Sequence, residues 1–93
     1  MRESMIESRL REDAKKRGGM AIKFVSPGLN GVPDRLVLMP GGRMAFVELK
    51  APGKTPRPSQ LKRKRQLEGL GFKVYVVDGM EQIGGILDEI QST

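Results

Sequence analysis

The sequence predicts an α/β fold in a single domain spanning 1–93, a mixed four-stranded sheet flanked by helices in the order α-β-β-β-α-β-α. Three observations carry that expectation. Apolar residues recur at helical spacing near both ends of the chain. In the middle, the apolar runs Leu36–Met39 and Met44–Val47 flank Pro40-Gly41-Gly42, a hairpin signal. A last apolar run, Phe72–Val77, is separated from that hairpin by a helical segment, the kind of connection that parallel pairing requires.

The first helix is expected from about Met5 to Arg17, with Ile6, Leu10 and Ala14 as its apolar stripe and Gly18-Gly19 as its stop. Ser4 and Glu7 have capping-box spacing. Met20–Val25 reads as a strand, and Ser26 to Gly31 is rich in turn residues. In the hairpin, a three-residue loop from Pro40 to Gly42 places Met39 opposite Arg43. Ala51–Ser59 carries three prolines and a glycine and reads as a stiff, extended loop. A helix from Gln60 to Leu70, closed by Gly71, leads to the Phe72–Val77 strand. Asp78 and Glu81 repeat the capping-box spacing before a last helix faced by Ile83, Ile86, Leu87 and Ile90. Gly84-Gly85 weakens that helix or lets it approach a neighbour closely.

Composition narrows the chemistry. Ninety-three residues bury roughly 60–65% of the surface an unfolded chain exposes, a modest core. Seventeen Lys and Arg against 11 Asp and Glu give a net charge of +6, which suits a polyanionic partner. Without cysteine or histidine there is no disulfide, no thiolate metal site and no histidine-dependent triad. The charged N-terminus has no apolar signal core, and no stretch approaches membrane-spanning length, so a cytoplasmic protein with no membrane partner is expected.

The three-residue hairpin loop also sets Asp34 across from Glu48. Strand alternation puts Glu48 and Lys50 on one face, roughly 7 Å apart along the backbone. Leu49 points into the core while its carbonyl lies between them. Asp34, Glu48 and the Leu49 carbonyl then offer three oxygens on one rim, a set that suits Mg²⁺ or Mn²⁺ rather than zinc. A four-residue loop would turn Asp34 to the other face. Taken singly, a Pro-Asp turn is commonplace and a Glu-x-Lys strand end is usually a solvated ion pair. Together, in register, they point to metal-assisted hydrolysis of a phosphodiester.

The pattern resembles the core of the PD-(D/E)xK nuclease superfamily, and in detail its VRR-NUC branch, the virus-type replication-repair nucleases. The resemblance runs from about Ile6 to Val77. It includes Ile6-Glu7, Gly18-Gly19, Lys23-Phe24, Ser26-Pro27-Gly28, Gly31-Val32-Pro33-Asp34-Arg35, Glu48-Leu49-Lys50, Pro52-Gly53, Ser59-Gln60, Gly71 and Val74-Tyr75-Val76-Val77. It implies a restriction-endonuclease-like fold and a nuclease domain over the whole chain. It also implies two site residues that local pattern does not assign. Glu7 matches a metal-binding glutamate of the first helix, a use at odds with capping Ser4. Gln60 matches a residue beside the catalytic lysine, and Lys23 matches a recurrent position read as a phosphate contact. Relatives often carry an aromatic residue where this chain has Arg63.

The expected catalytic set is therefore Asp34, Glu48, Lys50, Gln60 and Glu7, with Glu7, Asp34, Glu48 and Leu49 as ligands to one or two Mg²⁺ or Mn²⁺ ions. Lys54, Arg57, Lys62, Arg63, Lys64 and Arg65, with no acidic residue from Ala51 to Leu67, form a basic segment expected to bind DNA alongside Lys23. Few aromatic residues are available for base stacking, so phosphates and shape are expected to dominate recognition. The resemblance further implies a homodimer that resolves four-way (Holliday) junctions, acting in a bacterial host and encoded by a phage or prophage. The last helix and Leu61 are its expected interface. A flap-trimming or restriction-type nuclease and a non-catalytic basic DNA-binding protein are the alternatives.

Overall fold

The computed structural model describes residues 2–92. Helix α1 (Glu3–Lys16) buries Ile6, Leu10 and Ala14 completely. These residues sit four apart on one stripe, the spacing that seats a helix on a core. The helix begins at Glu3 with Arg2 as its cap and no side-chain capping bond. Ser4 thus lies inside the first turn, and the Ser4–Glu7 capping box does not form. At the other end, the Gly18 amide donates to the Lys15 carbonyl and the Gly19 amide to the Ala14 carbonyl. With Gly18 at φ +82°, this is a Schellman closure.

Four strands follow: β1 (Met20–Lys23), β2 (Arg35–Met39), β3 (Arg43–Leu49) and β4 (Val74–Val77). They lie side by side in chain order. The β1–β2 and β2–β3 pairs are antiparallel, and β3–β4 is parallel. The hairpin has the expected register, Met39 opposite Arg43, and both Gly41 (φ +84°) and Gly42 (φ +75°) take left-handed conformations in its loop. Strands β1 and β4 are shorter than expected, although the Phe24 amide still bonds the Asp34 carbonyl and the Phe46 amide the Lys73 carbonyl.

The parallel pairing of β4 follows from its connection through helix α2 (Pro58–Gly69). On one face of the sheet, Val37, Ala45, Val47, Leu49 and Val77 pack against α1 and helix α3 (Ile83–Gln91). The opposite face carries a row of rings, with Phe24–Phe46 centroids 5.7 Å apart and Phe46–Phe72 centroids 5.8 Å apart. Helix α2 lies against β4, and its buried residue is Gln60. Leu70, the residue that closes α2, is 69% exposed.

Ahead of α3, a short 3-10 turn (Met80–Gln82) intervenes. It moves the reciprocal bond one residue on. The Asp78 amide donates to Gln82 Oε1 and Gln82 Nε2 donates to Asp78 Oδ1, so Glu81 is not the capping partner. Ile83, Leu87 and Ile90 are fully buried against their own sheet, with Ile86 packed beside them. That stripe is core and is not available to a second subunit. A Cβ at Gly84 or Gly85 would meet nothing within 4 Å, so these glycines do not mark a close approach within the chain.

Candidate metal-dependent active site

The site is built on the open end of the β2–β3 hairpin. Asp34 immediately precedes β2, and its Oδ1 accepts the Leu49 amide at 3.0 Å. This bond fixes the carboxylate against the end of β3, as the hairpin register requires. A strand residue points its N–H and C=O to the same side, so the Leu49 carbonyl is directed toward Asp34 as well. The next amide, Lys50, points the other way and donates to the Val77 carbonyl at 2.9 Å.

Glu48 is 6% exposed. Its Oε2 accepts Gln60 Nε2 at 2.9 Å and lies 3.9 Å from Lys50 Nζ. Its Oε1 is buried with no hydrogen-bond partner. Burial, reinforced by the negative charge of Asp34 and opposed by Lys50, pushes the Glu48 carboxyl up to about 7; Glu3 adds to the rise. A buried acceptor without a donor is costly, and a cation satisfies it directly. Asp34, Glu48 and the Leu49 carbonyl therefore fit a hard divalent cation such as Mg²⁺, which takes one or two carboxylates and keeps several waters.

Gln60 uses both ends of its amide. Oε1 accepts the Arg57 amide at 2.8 Å, capping α2, while Nε2 holds Glu48. Its place in the site follows from a helix that starts at Pro58, two residues earlier than expected, which puts Gln60 in the first turn and turns it inward.

Glu7 does not gather with Asp34 and Glu48. Its Oε1 lies 3.7 Å from Arg11 Nε and 3.9 Å from Arg35 Nε. Among the described residues no three acidic side chains come together in a metal-holding group. Sequence reasoning gave no role to two residues here. Arg35 is nearly buried, and its Nη1 donates to the Asp34 carbonyl at 2.9 Å and lies 3.5 Å from Asp34 Oδ2. Its guanidinium thus pairs with Asp34, while its Nε is buried with no hydrogen-bond partner and meets Glu7 only at 3.9 Å. Glu3 acts on Glu48 by charge, and its signal was the i, i+4 spacing to Glu7 that puts both on one helix face.

The basic residues divide. Lys23, Lys54, Arg57, Lys62 and Arg65 are exposed, whereas Lys64 is paired with Glu68 at 2.8 Å and Arg63 is bonded to the Asn30 carbonyl at 2.9 Å. A groove of about 510 Å³ lined by Ser8, Arg11, Glu12, Lys15, Gly19, Met20 and Ala21 runs between α1 and β1, and it contains none of the site residues. Glu48 instead lines a small cavity of about 10 Å³ with Gly31, Pro33, Gln60 and Lys64. No helix is long and apolar enough to cross a membrane among the described residues.

No family model matches the chain. It is 51% identical over 81 residues, 87% of each sequence, to the protein named "Putative nuclease p44" of Acyrthosiphon pisum secondary endosymbiont phage 1. A solved structure described as a VRR_NUC domain superposes with a TM-score of 0.85 and 30% identity, covering 92% of this chain and 94% of that one.

Proposed function

The chain belongs to the VRR-NUC nuclease family, and we propose that it is a Mg²⁺- or Mn²⁺-dependent DNA endonuclease that resolves four-way junctions as a homodimer. The observation that carries the metal-dependent reading is Glu48: a buried carboxylate with one oxygen unpaired, beside Asp34 and Lys50.

Asp34, Glu48 and the Leu49 carbonyl would hold the ion, with Glu7 joining only on release from Arg35. A bound divalent cation supplies charge relief on the phosphate and a more acidic water. The chain's own groups do the rest. Gln60 keeps Glu48 in its rotamer, and the Leu49 amide keeps Asp34 turned to the same rim. Lys50, on the Glu48 face, orients the attacking water and offsets charge that develops on the phosphate. Arg35 offsets the charge of Asp34. Lys23, Lys54, Arg57, Lys62 and Arg65, all exposed, would hold the DNA backbone.

Each chain carries one site, and a junction needs two matched nicks. An isologous pair supplies both and fixes the spacing between them. The α3 stripe is used by its own sheet, which leaves Leu61 (41% exposed), one of several exposed apolar side chains that include Met20, Ile22 and Phe72, as the candidate for such contact. The deciding experiment incubates four-way, flap and linear DNAs with Mg²⁺, Mn²⁺, Ca²⁺ or EDTA, with light scattering at micromolar protein. Paired nicks confined to junctions in Mg²⁺ or Mn²⁺, from a dimer, are expected. Binding without cleavage in any metal would leave only a basic DNA-binding protein, and preferential cutting of flaps would leave a trimming enzyme.

Two further outcomes are expected. Neutralising Lys62 and Arg65 weakens DNA binding and lowers its salt slope by roughly 2, because fewer counterions are released, and does so alike for different base sequences. Glu7→Ala lowers the cleavage rate by ~10–100-fold, the usual loss for a group orienting a metal site. Its melting temperature stays near that of the parent, because partly exposed ion pairs contribute little to stability.

A further inference from the structure

We propose that Arg63 is a positioning residue for the reaction and not a contact to DNA: it holds the Asn30–Gly31 turn, and through it Asp34, against the first turn of α2. The inference rests on the nuclease reading above for one of its two readouts.

Residues 62–65 are all basic, but successive residues on a helix point about 100° apart, so they cannot share one role. Lys62 and Arg65 face solvent, while Arg63 is half-buried. Its Nε donates to the Asn30 carbonyl at 2.9 Å, and its Nη1 donates to Gln66 Oε1 one turn along. Both bonds draw the guanidinium onto the protein surface.

The turn it holds is anchored by backbone contacts rather than by apolar side chains. Val25 and Leu29, the large apolar side chains beside it, are 74% and 45% exposed, so apolar burial does not fix its place. Gly31 lies flat on α2; a Cβ there would stand 2.3 Å from the Ser59 carbonyl oxygen. Beyond Gly31 come half-buried Val32, buried Pro33 and then Asp34. Proline stiffens that short link. A shift of Asn30 is therefore passed on to the carboxylate that the Leu49 amide must meet. Displacement of a reacting group by about 1 Å can cost ~100-fold in rate.

The side-chain chemistry gives a sharp test. Glutamine carries its Nε2 donor one bond beyond Cδ, where arginine carries Nε, but has no charge. Lysine keeps the charge and has a methylene at that place. Arg63→Gln, Arg63→Lys and Arg63→Ala are compared for single-turnover cleavage with saturating protein and for DNA affinity in Ca²⁺ across a salt series. Hydrogen exchange at the Leu49 amide is measured in the same variants without DNA. Cleavage by the Ala and Lys variants is expected to fall ~10–100-fold, with faster Leu49 exchange, while Gln stays close to the parent in both. DNA affinity and its salt slope are expected to be the same in all. The reverse order overturns the proposal: Lys resembling Arg, Gln resembling Ala, and a salt slope smaller by about 1 in the uncharged variants. If the parent cleaves nothing, the nuclease reading fails while the exchange pattern alone still decides the role of Arg63.

Discussion

Glu48→Gln is expected to leave the protein folded, lower the cleavage rate by ~10³-fold or more, and raise the melting temperature of the metal-free protein above pH 7. The two effects have one origin. The Glu48 carboxylate is buried, faces Asp34, and has one oxygen without a donor. Its carboxyl is raised from 4.5 to about 7, so the folded chain binds this proton more tightly than the unfolded chain. The resulting stabilisation is fully present below about pH 4.5 and is lost as pH rises through about 7. Above that, metal-free protein carries the whole cost of the buried charge, on the order of 3 kcal/mol. Glutamine is neutral throughout and can still accept from Gln60, so its melting temperature lacks this fall. Mg²⁺ is expected to restore the parent at high pH and to leave the variant unchanged. Thermal melts from pH 5 to 9, with and without Mg²⁺, check both halves. Asp34→Ala and Lys50→Ala are expected to abolish cleavage too, but only Asp34→Ala also weakens metal binding.

Gly31→Ala is the second large effect, costing about 2–4 kcal/mol of stability together with most of the activity. Gly31 has φ +80°, and an added Cβ would stand 2.3 Å from Ser59 O, 2.7 Å from Ser59 C and 3.2 Å from Gln60 N. All three are backbone atoms, which cannot rotate aside. Either the turn lifts and carries Asp34 away, or α2 moves and carries Gln60 off Glu48. Gly28 is the control. Its φ of +83° is almost the same, but nothing lies within 4 Å of the added carbon. Gly28→Ala is expected to show the conformational cost alone, about 1–2 kcal/mol. Urea denaturation of both variants separates strain from collision.

The site divides into a part that was legible in the chain and a part that was not. Asp34, Glu48 and Lys50 could be placed because a three-residue turn and period-two alternation fix a hairpin from local information. The family resemblance supplied Gln60 as a neighbour of Lys50, and the structure buries it with its amide on Glu48. What failed depends on how separate elements meet. The start of α1 at Glu3 removed the Ser4 cap, and the seating of α1 on the sheet leaves Glu7 3.9 Å from Arg35 Nε instead of beside Glu48. The start of α2 at Pro58 turned Gln60 inward and left Leu70 in solvent; the helix buries an amide and takes a close glycine contact at its first turn, with Leu67 only half-buried. No periodicity in the sequence reports such contacts. The last helix was an ambiguous case, since an apolar stripe looks the same whether its own sheet or a partner covers it.

The hairpin turn at Pro40–Gly42 has a consequence for how this gene can change. Surface turns ordinarily accept insertions, because nothing depends on their length. This one lies at the far end of the ladder from Asp34, roughly 17 Å of strand away. Its length nevertheless sets which residue of β2 faces which residue of β3. One extra residue taken into the ladder there would move every partner along by one, and the odd step would send Asp34 to the opposite face of the sheet. A single codon inserted in that way, distant from every reacting atom and harmless to composition or charge, would inactivate the enzyme. Two would preserve the face but slide the carboxylates out of step. Among homologues the length of this turn should therefore be held as strictly as the acidic residues, while its side chains, apart from those that must adopt a positive φ, drift freely.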